Sequence, residues 1–267
     1  PRVANQMVGM GLLDAIEISA IKAFADESDI DGDGISGKAN LVYNRATNSM
    51  DLGRFGWKAG EPNVRQQVAG AFVGDIGITS NLFLEENHTN LQTDCQTVPN
   101  GNNSNGYELD VQTLDRVTLY SSTLAVPGRR NWKDQEVLQG KELFLKANCQ
   151  KCHVQKYRTG THPDFDALSN QTIYPYTDLL LHDMGAGLAD NRPEYLADGQ
   201  EWRTAPLWGI GLIETVNGHT EFLHDGRARN LEEAILWHGG EGEASKESFR
   251  TMSAEKREQL ILFVKSL

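Results

Sequence analysis

The feature that most constrains this chain is a pair of cysteines followed at once by a histidine, Cys149-Gln150-Lys151-Cys152-His153. This spacing is the attachment signal of c-type haem, in which two thiols add to the porphyrin vinyl groups and the histidine is placed to bind the iron. Zinc needs four ligands, and no second Cys/His pair lies nearby at finger spacing. A thioredoxin-like redox dithiol needs a βαβ context, which the sequence around the motif does not show. We therefore expect covalent haem c, with zinc or a chance match as the alternatives.

Apolar periodicity predicts a mainly α fold with long irregular loops. We expect N-caps at Asn63, Asn230 and Ser253. The predicted helices cover residues 8–25, 63–73, 111–126, a segment from 133 into the motif, 230–240 and 253–267. No stretch shows sustained period-two alternation, which agrees with the mainly α class. The helix entering the motif and the last helix resemble the crossing pair of class I cytochromes c, with Gly140 at the close contact. We therefore expect cytochrome c-like domains.

Two domains are expected, 1–130 and 131–267, because Pro127-Gly128 ends a helix and a second unit starts near Asn131. A weak internal echo links 55–68 with 222–235 at an offset of 167 residues. Each segment begins with an aromatic residue, turns at a glycine and continues through an asparagine into a helix.

The chain of 267 residues is acidic, with a net charge of −12 and a pI near 5.0. This balance argues against nucleic acid and anionic membranes as partners and suits a basic redox donor protein. No run of 18 apolar residues is present, so no transmembrane segment is expected. The sequence does not indicate an oligomeric state. Three cysteines leave Cys95 over, as an inert thiol or one without its partner.

An acidic loop, "DIDGDGISGKAN", places Asp29, Asp31 and Asp33 at positions 1, 3 and 5 of a calcium loop, with Gly34 at position 6. The apolar residue Ile35 falls one place early. Position 12 is an asparagine, so a closing carboxylate must come from elsewhere. We expect either a Ca²⁺ site over Asp29, Asp31, Asp33 and Ile35 or a solvated acidic turn.

Several long blocks resemble one family over nearly the whole chain. They are "GLLDAIE", "DIDGDGISGKAN", "GRFGWKAGEPNVRQQVAGAFVGDIGIT", "LAVPGRR", "NCQKCH", "YTDLLLHDMGAGLAD", "EWRTAPLWGIG" and "FLHDGRARNLEEAILWHGGEGEA". The chain resembles the di-haem oxidoreductases described as peroxidases or CxxC-type thiol oxidoreductases, relatives of bacterial di-haem cytochrome c peroxidases. The resemblance implies two cytochrome-like domains, with peroxidatic chemistry at an N-terminal haem and electron input through the C-terminal one.

The resemblance also implies ligands for the iron. It makes His153 the proximal ligand and His238 the distal one, with His182 and Met184 as alternatives for the distal position. Many relatives have a second cysteine near the position of His88, which would explain the odd Cys95.

Two further residues have roles by resemblance or by chemistry. Trp57 stands where peroxidase relatives keep a tryptophan between their haems, so it is either an electron relay or a core tryptophan. Arg203 suits a bidentate contact with a haem propionate, or a surface ion pair.

One departure from the family pattern matters for function. The chain has a single CxxCH motif and opens at Pro1 within a helical pattern, so we expect the first haem motif to lie upstream, or the protein to be a one-haem variant. The leading expectation is the electron-input part of a peroxidase-like enzyme, served by a redox protein or a small-molecule oxidant. A monohaem electron carrier and a haem-free calcium scaffold are the alternatives. Haem c attachment implies the periplasm or the cell surface.

Overall fold

The computed structural model describes residues 2–267, so the expectation at Pro1 lies outside the described residues. Within this range the chain forms ten α-helices and six short strands, and no helix is long and apolar enough to cross a bilayer. In chain order these elements are α1 Met10–Asp14, α2 Ile18–Lys22, β1 Leu41–Asn44, β2 Ser49–Leu52, α3 Val64–Ile76, α4 Thr93–Thr97, α5 Val111–Thr123, α6 Gln135–Lys146, β3 Tyr157–Arg158, β4 Thr172–Ile173, β5 Leu181–Asp183, β6 Glu201–Arg203, α7 Ile213–Asn217, α8 Leu231–Leu236, α9 Glu243–Arg250 and α10 Ala254–Ser266.

The predicted N-caps are confirmed. Asn63 and Asn230 each accept a backbone hydrogen bond at 2.8 Å from the residue three places on, and the Ser253 hydroxyl does so at 3.4 Å. Each cap satisfies a donor that the first helical turn leaves free. The single helix expected over 8–25 is wrong. It breaks between α1 and α2 because Ile16 pairs with Thr159 in an isolated bridge and Glu17 is extended.

The expected mainly α class is confirmed only in part, because short strands accompany the helices. Three two-stranded antiparallel sheets form, pairing β1 with β2, β3 with β4 and β5 with β6. These strands have two to four residues each, too short for alternation to stand out in a sequence window. The chain is 38% helical and 10% strand, so the structure is a mixed one with small sheets.

Helices α6 and α10 cross in close contact and organise the core of the second half. Gly140 lies at the crossing, as expected, because a methyl group there would overlap the carbonyl oxygen of Gln259 and lie 2.9 Å from the Cβ of Phe263. Around the crossing pack buried Val137, Phe144 and Leu260.

A second core joins the first half of the chain to parts of the second. It combines α1, α3 and α5 with residues of the later half, such as Tyr157, Leu180 and Trp208. The division at residues 130 and 131 stays a prediction.

The echo between 55–68 and 222–235 is visible in the structure. Phe55 bridges Glu61, and Phe222 bridges Ala228, which is the same pairing displaced by 167 residues. The capping asparagines that follow have the same displacement and make the same hydrogen bond. The two segments are therefore copies of one turn-and-helix unit, despite their different side chains.

Candidate haem site

Helix α6 delivers the Cys-Cys-His motif to the core. Asp134 caps the helix by accepting a hydrogen bond from the Glu136 amide at 2.8 Å. Asn148 then takes a left-handed conformation, with φ of 60°, and starts a single 3-10 turn at Cys149–Lys151. An asparagine tolerates this conformation better than most residues. The turn brings His153 back toward the helix, where its ring lies 6.2 Å from that of Phe144.

His153 has the environment of a metal-binding histidine. Its Nδ1 donates to the carbonyl oxygen of Tyr176 at 2.9 Å, which leaves Nε2 as the basic nitrogen. Burial, with a smaller contribution from the neighbouring His238, outweighs the hydrogen bond to Tyr176 and lowers the pKa of His153 to about 4. The imidazole is therefore neutral near pH 7. A backbone carbonyl that fixes the tautomer in this way is the usual partner of a histidine ligand.

His238 repeats the arrangement. It follows α8, and its Nδ1 donates to the carbonyl oxygen of Ala234 at 2.8 Å. Burial lowers its pKa, so this ring is also neutral with Nε2 free. Met184 lies close by, because a methyl group at Gly242 would lie 3.0 Å from the His238 Cβ and 3.2 Å from the Met184 Cε.

His182 has neither ring nitrogen free. Its Nε2 donates to Asp178 at 2.8 Å and its Nδ1 donates to Glu241 at 2.6 Å. Burial works against its charge, but the hydrogen bonds with Asp178, Cys152 and Glu241 outweigh burial and raise its pKa. His182 is therefore a buried imidazolium between two carboxylates, and it would have to give up one of them to bind iron.

Cys149 and Cys152 are both free thiols in different surroundings. Cys149 packs against the apolar core, and burial raises its pKa to about 12. The Cys152 sulfur lies 3.6 Å from His182 Nδ1. Burial raises the pKa of Cys152, while the hydrogen bond and charge of His182 act in the opposite direction.

Arg203 is buried and has no carboxylate within 4.0 Å among the described residues. Its guanidinium donates to the carbonyl oxygens of Gly56 at 2.8 Å and Thr204 at 3.2 Å. Burial lowers its pKa to about 10, and the charge of Asp178 opposes that effect. A buried cation with only carbonyl partners has capacity left for an anionic ligand.

Trp57 is half-buried and connects to the site through Arg203. Its backbone carbonyl accepts from the Arg203 amide at 2.8 Å, and its indole Nε1 donates to Val3 at 2.7 Å. The ring meets His224 edge-on, with centroids 6.4 Å apart.

The acidic loop lies against the motif. Asp33 pairs with Lys151 at 2.6 Å, and Ser36 donates to Glu241 at 2.6 Å. The oxygens of Asp26, Asp29 and Asp31 lie within 4.8 Å of one another, without Asp33. Asp26 therefore occupies the place in this cluster that was expected for Asp33. The backbone amide of Ile35 donates a hydrogen bond to Asp33.

Three functional candidates were not found from the sequence. They are Asp178 and Glu241, which lie inside family blocks without being assigned a role there, and Asp26. Asp178 lies four residues before His182, a signal that becomes visible only once His182 is known to be buried. Glu241 reaches His182 from 59 residues away, and Asp26 precedes the calcium-loop pattern.

The donor set fits haem c, with two unbridged thiols at CxxC spacing and two half-buried neutral histidines. In comparisons with known proteins, no curated protein matches. Hydrazine synthase from Kuenenia stuttgartiensis, solved under xenon pressure, is similar at 17% identity and a TM-score of 0.38, over 61% of this chain and 57% of its own. The chain thus spans little more than half the length of that protein. A family model described as "Di-haem oxidoreductase, putative peroxidase" matches residues 1–267. This chain belongs to the di-haem oxidoreductase family.

Proposed function

We propose that residues 131–267 bind one haem c and form the electron-input part of a peroxidase-like di-haem oxidoreductase. The observation that carries this proposal is the matched pair His153 and His238. Each is half-buried, each donates Nδ1 to a backbone carbonyl, and each keeps Nε2 for iron. Thioethers at Cys149 and Cys152 would hold the porphyrin. The bound haem would supply one-electron chemistry, cycling between ferric and ferrous iron.

His238 is the proposed distal ligand. His182 is disfavoured, because freeing either nitrogen would leave a buried carboxylate without its partner, which costs several kcal/mol. Met184 stays the alternative, because its methyl group lies beside His238 across Gly242.

The chain's other residues fill supporting roles in this proposal. Arg203 would pair with a propionate, since its carbonyl partners leave its charge uncompensated. Trp57 would relay electrons toward a second haem carried upstream of residues 1–130. Support for the relay is its backbone hydrogen bond to Arg203, which links it to the haem side of the molecule.

The acidic loop is proposed to bind Ca²⁺ through Asp29 and Asp31 together with Asp26, with Asp33 held by Lys151. The periplasm or cell surface is the proposed location, since haem c is attached outside the cytoplasm. The electron donor is proposed to be a redox protein, and the final oxidant a small molecule.

The test is expression with haem-attachment machinery, a pyridine haemochrome assay and a spin-state spectrum. The proposal expects covalent haem and a six-coordinate low-spin spectrum that becomes high-spin in His238→Ala. His162→Ala is the control, because His162 is more buried than His238 and its Nδ1 accepts from a backbone amide. A spectrum that stays low-spin in His238→Ala and turns high-spin in Met184→Leu assigns the ligand to Met184. A wild-type chain without covalent haem refutes the proposal.

The number of haems bound by the full-length protein distinguishes the proposed function from that of a monohaem carrier. Two haems per chain, with slower transfer between them in Trp57→Phe at unchanged haem spectra, are the expected result. One haem per full-length chain supports the carrier.

A further inference from the structure

The two motif thiols differ in what holds them. Cys149 contacts apolar side chains of the α6–α10 core and has no polar side-chain partner. The Cys152 sulfur lies 3.6 Å from the ring nitrogen of His182. A cysteine side chain has three staggered positions, and a fixed polar neighbour selects one of them. Only Cys152 therefore has its sulfur direction set by a specific partner.

His182 is itself held rigidly. Asp178, which is 1% exposed, accepts a hydrogen bond from the His182 Nε2 at 2.8 Å, and Glu241 accepts one from the His182 Nδ1 at 2.6 Å. Gly37 closes the remaining side, since a methyl group there would lie 3.3 Å from the His182 Cε1. A ring bonded at both nitrogens and covered by backbone has one orientation. The contact with Cys152 is thus a fixed one.

We propose that His182 is a positioning residue for the thioether at Cys152, and that the Cys149 thioether forms without such help. This inference rests on the proposed haem c site. In the reaction, the Cys152 S–H adds across one vinyl group of haem. The S–H bond and the C=C π bond break, a carbon–sulfur bond forms, and the hydrogen ends on the other vinyl carbon. No oxidant or reductant is consumed.

The geometric advantage is one of orientation. A reacting group held near its productive direction gains a large effective concentration over one that must search for it. His182 fixes the direction of the Cys152 sulfur only and makes no hydrogen bond to the Cys149 sulfur. The two thioethers should therefore respond differently to a change at position 182.

The test compares single-cysteine chains expressed with haem-attachment machinery. In Cys149→Ala the haem attaches through Cys152, and in Cys152→Ala it attaches through Cys149. Adding His182→Gln is expected to lower the covalent haem yield severalfold in the Cys149→Ala chain and to leave the Cys152→Ala chain unchanged. Haem staining on a denaturing gel and intact mass measure the yield.

A general folding defect of His182→Gln would lower both yields alike, so the ratio of the two yields isolates the effect on Cys152. Equal loss in both backgrounds, or no loss in either, overturns the inference. In the two-cysteine chain, His182→Gln should leave one thiol open to alkylation and give the pyridine haemochrome of a haem with one remaining vinyl group. Asp178→Asn should give a smaller loss of the same kind. If the wild-type chain carries no covalent haem, the proposed function fails instead.

Discussion

The crossing of α6 and α10 gives the sharpest test of how this chain holds its motif. We expect Gly140→Ala to destabilise the fold. Alanine favours a helix interior over glycine by about 1 kcal/mol. Against this, the new methyl group overlaps the Gln259 carbonyl oxygen and lies 2.6 Å from the carbonyl carbon. Overpacking of this kind costs about 1–3 kcal/mol, and backbone cannot rotate away as a side chain can, so the upper end applies.

The net loss is then about 2 kcal/mol, or roughly 4–8 °C in Tm for a chain of this size. Gly74→Ala is a matched control, since Gly74 lies within α3 and a methyl group there meets nothing within 4 Å. The control should gain about 1 kcal/mol from helix propensity alone. Thermal melts of both variants in the same haem state, followed by far-UV circular dichroism, show whether each substitution lowers or raises Tm. A Gly140→Ala chain as stable as the wild type would refute the close-contact reasoning.

Three further changes have expected outcomes. Burial alone would raise the pKa of Asp190, but Arg2, the Arg192 amide and Lys58 lower it to about 2. A carboxyl whose pKa is depressed in the folded state stabilises the fold above the unfolded pKa, and this stabilisation is lost as pH falls through the folded pKa. After discounting for solvent screening of this partly exposed group, Asp190→Asn should cost on the order of 1 kcal/mol at pH 7 in urea unfolding, and the difference should vanish between about pH 4 and pH 2. A difference that persists at the acid end would contradict this. Lys151→Gln should increase Ca²⁺ affinity severalfold by calorimetry, because it frees Asp33; unchanged affinity would place Asp33 outside the site. In the haem-free chain, a thiol reagent should react first with exposed Cys95, whereas Cys149 and Cys152 should need unfolding; three equal rates would show that the motif is open.

The sequence was informative where structure is local. Asn63, Asn230 and Ser253 were found because a cap and its partner lie three residues apart. Gly140 was found through the resemblance of its helix pair to the crossing pair of class I cytochromes c, whose close contact takes a glycine. The hairpin of β1 and β2 escaped detection, since its strands have four residues each and only β1 shows an alternating exposed and buried pattern.

The electrostatics of the site were beyond a reading of the sequence. His182 was considered as an iron ligand. Its positive charge and its hydrogen bonds, however, follow from Asp178 and Glu241, which the fold brings to its two ring nitrogens. The Asp33 carboxylate matched a calcium-loop position, but Lys151 of the distant motif pairs with it. Partners that are far apart in sequence leave no spacing to recognise.

The repeated turn carries one more consequence. Trp57 and His224 stand at the same position of their copies, 167 residues apart, and their rings touch. Where identical subunits associate isologously, a residue meets its own counterpart only beside the two-fold axis. At this point the two turns meet through corresponding positions, as two subunits do beside such an axis, with an indole on one turn and an imidazole on the other.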